Sequence, residues 1–215
     1  MSTSLIDTAY TTIRQQILSC EYMPGSLLSI YKLAEELEMS RTPISNAIAR
    51  LELEGLVVTL KNRGVMVKEI SMKEIIEMFE VTFAHQMYVL DTVENFEHYT
   101  FNLTDLKSIL DQQLIEKEQN NYFKYASLSL SFIRSFIATT KNNVMMHIMD
   151  AHQDKIIMNS VANYKLFPQQ RYFSGAHYNW AIYQALSEEN YEEVRKLIYE
   201  WRQKTRERVV MMGSI

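Results

Sequence analysis

Residues 40–55 read SRTPISNAIARLELEG, and this stretch determines how the first part of the chain folds. Thr42 is a good N-cap for a helix, Pro43 suits the first helical position, and Gly55 suits the residue after the last turn. Apolar residues at helical spacing predict one buried face, formed by Ile44, Ala47, Ile48 and Leu51. The other face is predicted to point outward and carries Arg41, Ser45, Asn46 and Arg50.

Two shorter helices are predicted before this segment. Apolar residues recur at helical spacing over residues 5–20 and again over 30–38. Between these two stretches, Pro24 and Gly25 interrupt the helical pattern. The first 55 residues therefore predict three helices in succession.

After Gly55 the sequence pattern changes from helical to alternating and becomes rich in β-branched residues. This pattern predicts two strands, at Val57–Leu60 and Val65–Val67, joined by a turn at residues 61–64. Three helices followed by a hairpin make a winged helix-turn-helix. We predict this domain over residues 1–70.

Beyond residue 70 the sequence predicts helices. Neither glycine nor proline occurs between Gly64 and Pro168, so strands and tight turns are disfavoured there. Ser71 and Glu74 form a capping box that opens the first of these helices. Six helices are expected, near 72–97, 103–119, 121–140, 143–160, 170–186 and 190–210. The predicted fold class is mainly α: a winged helix-turn-helix with a small β-hairpin, then an all-helical bundle over 71–215.

The composition excludes several classes of protein. Apolar residues make up 47% and charged residues 22% of the chain, which excludes a disordered protein. No apolar run approaches the ~18 to 20 residues that span a bilayer, and the N-terminus does not resemble a signal peptide. Cys20 is the only cysteine, so no disulfide can form within the chain. These features predict a cytoplasmic protein.

The motifs in their order resemble the FadR subgroup of GntR-type transcriptional regulators. The resemblance covers residues 5–70 closely and the rest of the chain in length and helix order. The motifs that carry it are Tyr22-Met23-Pro24-Gly25, Leu33-Ala34-Glu35, Ser40-Arg41-Thr42-Pro43-Ile44, the run RLELEGLV at 50–57 and the run NRGVMV at 62–67. The resemblance implies a homodimeric regulator, not an enzyme, that binds a palindromic double-stranded DNA operator. It implies that residues 71–215 dimerise and sense a small molecule.

A winged helix-turn-helix places the start of its third helix in the major groove. Arg41 then lies where a guanidinium reaches guanine or a phosphate, and Thr42 and Ser45 can donate to phosphates or bases. Similar proteins carry a second arginine at position 45, where this chain has serine. The residues expected to contact DNA are Arg41, Thr42, Ser45, Asn46, Arg50, Arg63 and Gly64. For Arg50, a purely solvated role is the alternative.

The resemblance also implies a divalent metal in the helical domain, held by one Asp and three His. The corresponding positions in this chain are Ser129, Ile133, His177 and Tyr199, of which only His177 could bind a metal. The sequence therefore predicts no metal and no other cofactor. A substitute cluster in the segment 147–154, which contains two His and two Asp, stays an open alternative.

The same positions are the candidates for binding an effector. Thr82 stands where metal-containing relatives tend to carry an arginine, so a carboxylate would lose two anchors. The predicted effector-binding residues are Thr82, Ser129, His177 and Tyr199. We expect an effector held mainly by apolar and aromatic contact.

Two alternatives to an effector-controlled regulator remain. The first alternative is a regulator that has lost sensing and acts through dimerisation alone. The second is an enzyme built on the helical bundle. The enzyme needs a nucleophile–base pair or a metal constellation, and the sequence shows neither at a supporting spacing.

Overall fold

A computed structural model describes residues 4–61, 63–168 and 173–212, apart from the side chains of 209–212. The chain divides into two compact units. The first unit contains residues up to Ile70 together with 158–166, and the second contains 71–157 and the residues from 167 onward. Within the described ranges, no helix combines the length and the apolar character needed to cross a membrane.

The first unit contains the predicted helices and hairpin. Its elements are α1 (Leu5–Leu18), β1 (Leu27–Leu28), α2 (Ile30–Glu36), α3 (Arg41–Leu53), β2 (Val57–Leu60) and β3 (Gly64–Val67). The helices share one apolar core, whose fully buried members include Ile13, Ile17, Leu33, Ile44 and Leu51. The buried face predicted for α3 is therefore confirmed.

The start of α3 differs from the prediction. Ser40 is the N-cap, with extended backbone angles, and Thr42 and Pro43 lie inside the first turn. Pro43 is tolerated there because the first N–H groups of a helix have no partner within the helix. The predicted end is confirmed, since Gly55 follows the C-cap Glu54 with φ +74°, a conformation that glycine adopts without strain.

The strand β1 was not predicted. It pairs with β3, with Leu28 opposite Val65, and completes an antiparallel sheet whose order in the described residues is β1-β3-β2. Gly25, at φ +82°, donates its N–H to the carbonyl of Val67 at 2.9 Å and so brings the chain back to the sheet. A strand of two residues has no alternating pattern, so its pairing is visible only in three dimensions.

In the described residues of the second unit every element is a helix, as predicted. The helices are α4 (Met72–Asn95), α5 (Leu103–Glu118), α6 (Tyr122–Ala138), α7 (Asn143–Leu166), α8 (Gly175–Ser187) and α9 (Tyr191–Met212). The last part of α7, residues 158–166, belongs to the first unit. Ser71 and Glu74 form the predicted capping box. The helix predicted over 170–186 is found from Gly175, and residues 169–172 lie outside the described residues.

Two phenylalanines of α6 form the centre of the second unit's core. Phe132 and Phe136 are almost completely buried, and the ring of Phe101 lies 4.7 Å from that of Phe136. Apolar residues of α4, α5, α8 and α9 surround them, among them Val89, Leu90, Leu106, Ile182, Leu186, Val194 and Ile198. This core holds together the helices that form the pocket described below.

Candidate nucleic-acid interface and ligand pocket

The first two turns of α3 present one polar face to solvent. Arg41, Thr42, Ser45 and Asn46 are exposed, as predicted. Among the residues that the structure describes, the side chain of Arg41 has no hydrogen-bond or ion-pair partner. Its guanidinium is therefore available to a guanine edge or a phosphate.

Asn46 is less available than Arg41. Its Nδ2 donates to the carbonyl of Thr42 at 3.1 Å, one turn earlier in the same helix. A contact with adenine would require this bond to be exchanged. Base reading by Asn46 stays a prediction.

Arg50 is tied to α1. Its Cζ lies 3.7 Å from the centre of the Tyr10 ring, its Nε lies 3.5 Å from Glu54, and its Nη1 lies 3.6 Å from Asp7. The Tyr10 hydroxyl donates to Glu54 at 2.8 Å. Partial burial and this hydrogen bond raise the pKa of Tyr10 to about 12. These contacts favour a structural role for Arg50, and its DNA contact stays a prediction.

The hairpin places Arg63 and Gly64 at its tip. Arg63 is exposed, and its backbone N–H donates to the carbonyl of Leu60 at 3.1 Å, which closes the turn. Gly64 has φ +94°, which suits glycine. Asn62, in the predicted turn, lies outside the described residues.

A carboxylate on α3 holds the hairpin to that helix. Glu52 accepts the backbone N–H of Thr59 at 2.6 Å and the hydroxyl of Thr59 at 2.8 Å. These two hydrogen bonds lower the pKa of Glu52. The polar face of α3 and the wing are thus held in one arrangement within the first unit.

The predicted effector residues do not lie together in the second unit. Thr82 is buried and Ser129 is partly buried, but His177 is exposed and Tyr199 is 46% exposed. His177 is therefore not placed beside Thr82 and Ser129, as the prediction of a shared effector site requires. Tyr199 is also at the surface. The residues of α9 that face the interior are Ile198 and Trp201 instead.

Asn179 occupies the interior place expected for His177. Its Nδ2 donates to Ser129 Oγ at 3.3 Å and to Gln113 Oε1 at 3.1 Å. Asn179 is two residues after His177, just as Trp201 is two residues after Tyr199. On α8 and α9, the residues that face inward thus lie two positions after the predicted ones. Burial at three- and four-residue spacing along α8 is the signal that identifies Asn179.

The interior set does not fit a divalent metal. Ser129, Ile133, Asn179 and Trp201 supply a hydroxyl and a carboxamide but no imidazole, thiolate or carboxylate. In the open alternative at 147–154, Asp150 is paired with Arg134, with 2.6 Å between Oδ1 and Nε. The described part of the chain holds no group of three or more His, Cys, Asp or Glu that could bind a metal ion.

We expect the purified protein to carry no stoichiometric zinc, nickel or manganese. The interior positions lack the ligands that hold these ions, so a chelator should leave the melting temperature unchanged. Elemental analysis and thermal melting with and without chelator measure both quantities. One equivalent of metal whose removal destabilises the protein would contradict this prediction.

A pocket opens between α4, α6 and α9, and we call it the α4–α9 pocket. It encloses about 510 Å³ of space free of atoms, its open mouth included. Its lining is Ile76, Phe79, Glu80, Thr82, Phe83, Gln86, Ile133, Ile198, Trp201, Arg202, Thr205 and Arg206. The lining contains two cations, Arg202 and Arg206, besides the two carboxylate anchors that the sequence predicts to be lost. Their spacing of four residues on one helix face was the signal available in the sequence.

Comparison with known proteins shows a family match in the first part of the chain. Residues 5–67 match the model of the gntR family of bacterial regulatory proteins. A helix-turn-helix transcriptional regulator of Agrobacterium vitis, from the TAR-I ttuE-ttuC' intergenic region, is 37% identical over 83 residues, which are 39% of this chain and 48% of that protein. The gluconate operon transcriptional repressor of Bacillus licheniformis is 25% identical over 136 residues, which are 63% and 55% of the two chains. The chain thus spans about half the length of these curated relatives.

The whole architecture matches a solved structure. GntR from Rhodococcus sp. RHA1 has a TM-score of 0.81 at 19% identity, covering 97% of this chain and 98% of that chain. This likeness confirms the predicted fold class. The elements α1 to β3 and the exposed polar face of α3 form a winged helix-turn-helix domain. The chain carries an N-terminal helix-turn-helix domain of the GntR family.

Proposed function

We propose that this protein is a sequence-specific DNA-binding transcriptional regulator rather than an enzyme. The observation that carries the proposal is Arg41, exposed and unpaired among the described residues at the start of α3, inside the segment that matches the family. The named relatives are transcriptional regulators, which supports this function. We place DNA binding in residues 1–70.

In this function α3 enters the major groove with its N-terminal end toward the bases. Arg41 donates two hydrogen bonds to guanine or binds a phosphate. Thr42 and Ser45 donate to the phosphate backbone, and Arg63 at the wing tip adds a further backbone contact. Glu52 supports this binding mode because it holds the wing to α3 before DNA arrives.

We further propose that the protein acts as a homodimer of the FadR subgroup. One winged domain contacts too few base pairs for useful specificity, whereas two related by a two-fold axis read an inverted repeat. Residues 71–215 supply dimerisation and the effector site. In this proposal the dimer has two conformations that differ in their affinity for the operator. An effector that binds one of them more tightly shifts the equilibrium and so changes operator affinity. Repression is the favoured direction of control, since a relative is the gluconate operon repressor.

Selection from a pool of random DNA duplexes tests this function. The full chain is incubated with the pool, and the bound duplexes are recovered and sequenced. We expect an inverted repeat among them, and light scattering should give about twice the 25.3 kDa mass of one chain. Bound duplexes without a common sequence would contradict the proposal, and a monomer on a single half-site would contradict its dimeric part.

A further inference from the structure

Two arginines of α9 line the α4–α9 pocket, of which Arg202 is half-buried and Arg206 is exposed to solvent. Arg202 and Arg206 are four residues apart on one face of the helix, and both line the pocket. The Cζ atom of Arg202 lies 4.5 Å from the centre of the Phe83 ring, so its guanidinium lies over that ring. Among the described residues of the lining Glu80 alone is acidic, and neither arginine pairs with the carboxylate of any residue described. The charged side chains of the described lining therefore sum to a net positive charge of one.

The interior of the pocket is mostly apolar. The apolar part of the lining includes the side chains of Phe79, Phe83, Ile133, Ile198 and Trp201. A Cβ built on Gly175 would lie 3.7 Å from the tip of the Trp201 ring and 3.1 Å from the hydroxyl of the partly buried Ser129. Trp201 thus forms the wall between the pocket and the buried polar cluster of Ser129 and Asn179.

Thr205 adds an unpaired polar group to the lining. Its residue is 7% exposed, and its Oγ1 is buried without a hydrogen-bond partner in the described part of the chain. A buried hydroxyl without a partner is unfavourable, so a ligand oxygen that pairs with it would be stabilised. Thr205 lies on α9 between Arg202 and Arg206, and it lines the same pocket.

We propose that the α4–α9 pocket binds a small monocarboxylate with a short apolar chain. The carboxylate accepts hydrogen bonds from Arg202 and Arg206, and the chain packs on Phe79, Phe83 and Trp201. The inference rests on the proposed function, since it names the class of effector that the regulator senses.

The lining also defines what the pocket rejects. A dicarboxylate would carry its second charge into the apolar interior, where no cation of the lining lies, and burial of an unpaired charge is costly. A neutral amide of the same length would keep the apolar contact but lose the charge-assisted hydrogen bonds. The pocket is therefore expected to prefer a ligand that is charged at one end and uncharged at the other.

Titration with hexanoate, hexanamide and adipate tests the proposal on the full chain. Calorimetry measures affinity, and tryptophan fluorescence reports on the wall formed by Trp201. Hexanoate is expected to bind at least ~10-fold more tightly than either of the other two, as expected for one charge-assisted interaction. Arg202→Gln and Arg206→Gln should each weaken hexanoate at least ~10-fold. The matched control is Lys204→Gln, which removes one charge from the same helix outside the pocket lining and should leave hexanoate binding unchanged.

The outcomes separate this inference from the proposed function. Failure of hexanoate to bind at about 10 mM would overturn the inference, as would equal affinity for hexanamide or unchanged binding by both arginine variants. The comparison of hexanoate with hexanamide uses the unaltered protein, so it does not depend on how the variants fold. A mobility-shift assay without ligand then tests the function by itself. Operator binding retained by Arg202→Gln, together with absent hexanoate binding by the wild type, would overturn the inference and leave the function standing.

Discussion

Arg41→Ala is expected to abolish specific operator binding while the dimer stays folded. A bidentate arginine–guanine contact is worth about 1 to 3 kcal/mol of discrimination. A dimer loses one contact in each half-site, so affinity for the operator should fall at least ~30-fold. Because the Arg41 side chain is exposed and unpaired among the described residues, its removal should leave the melting temperature unchanged. A mobility-shift assay at fixed salt measures the affinity.

The matched control for Arg41→Ala is Lys73→Ala. Lys73 has an 85% exposed side chain at the start of α4, and its removal lowers the net charge by the same amount. Arg50 is unsuitable as a control because its side chain packs on Tyr10 and its loss would disturb the contact of α3 with α1. Equal operator affinity of Arg41→Ala and Lys73→Ala would show that Arg41 does not read the operator.

Phe136→Ala is expected to destabilise the second unit by about 3 to 5 kcal/mol, the usual cost of emptying a buried phenylalanine site. The Phe136 side chain is completely buried and packs against the ring of Phe101. The neighbouring helices cannot close the cavity without losing contacts with one another. Urea unfolding followed by circular dichroism measures the change in the free energy of unfolding.

Phe96→Ala is the matched control for the core substitution. Phe96 is the C-cap of α4 in the same unit and is 53% exposed. Its replacement should therefore lower the free energy of unfolding by less than about 1 kcal/mol. A similar loss of stability in both variants would show that burial in the core does not set the cost. Operator binding by Phe136→Ala is informative only where the variant remains folded.

The pocket changes the expectation about the effector. From the sequence, Thr82 in place of an arginine and Ser129 in place of an acid indicated that carboxylate anchors were lost. The structure supplies cations from α9 instead, at Arg202 and Arg206. The expected apolar contact survives in the pocket wall, so the two observations together indicate a ligand with one charged end and one apolar end.

The positions of most helices follow from the sequence by itself, because the features that mark them are local. The glycine at position 55 ends α3, and the capping box at Ser71 and Glu74 opens α4, each acting within about one turn. The spacing of apolar residues along α3 likewise assigns its buried and exposed faces. The exposure of Arg41 and Ser45 was predictable for this reason.

Only the tertiary structure decided features that join residues distant in sequence. The strand at Leu27–Leu28 exists because β3 pairs with it, and two residues carry no periodicity of their own. Arg50 is anchored by Tyr10, which is far from it along the chain but adjacent across two packed helices. Whether His177 or Asn179 faces the interior depends on the rotation of α8 about its axis. In the structure Asn179 faces inward and donates to Gln113 and Ser129. Periodicity constrains such a rotation only loosely, and a displacement of two residues turns a helix position by about half a circle.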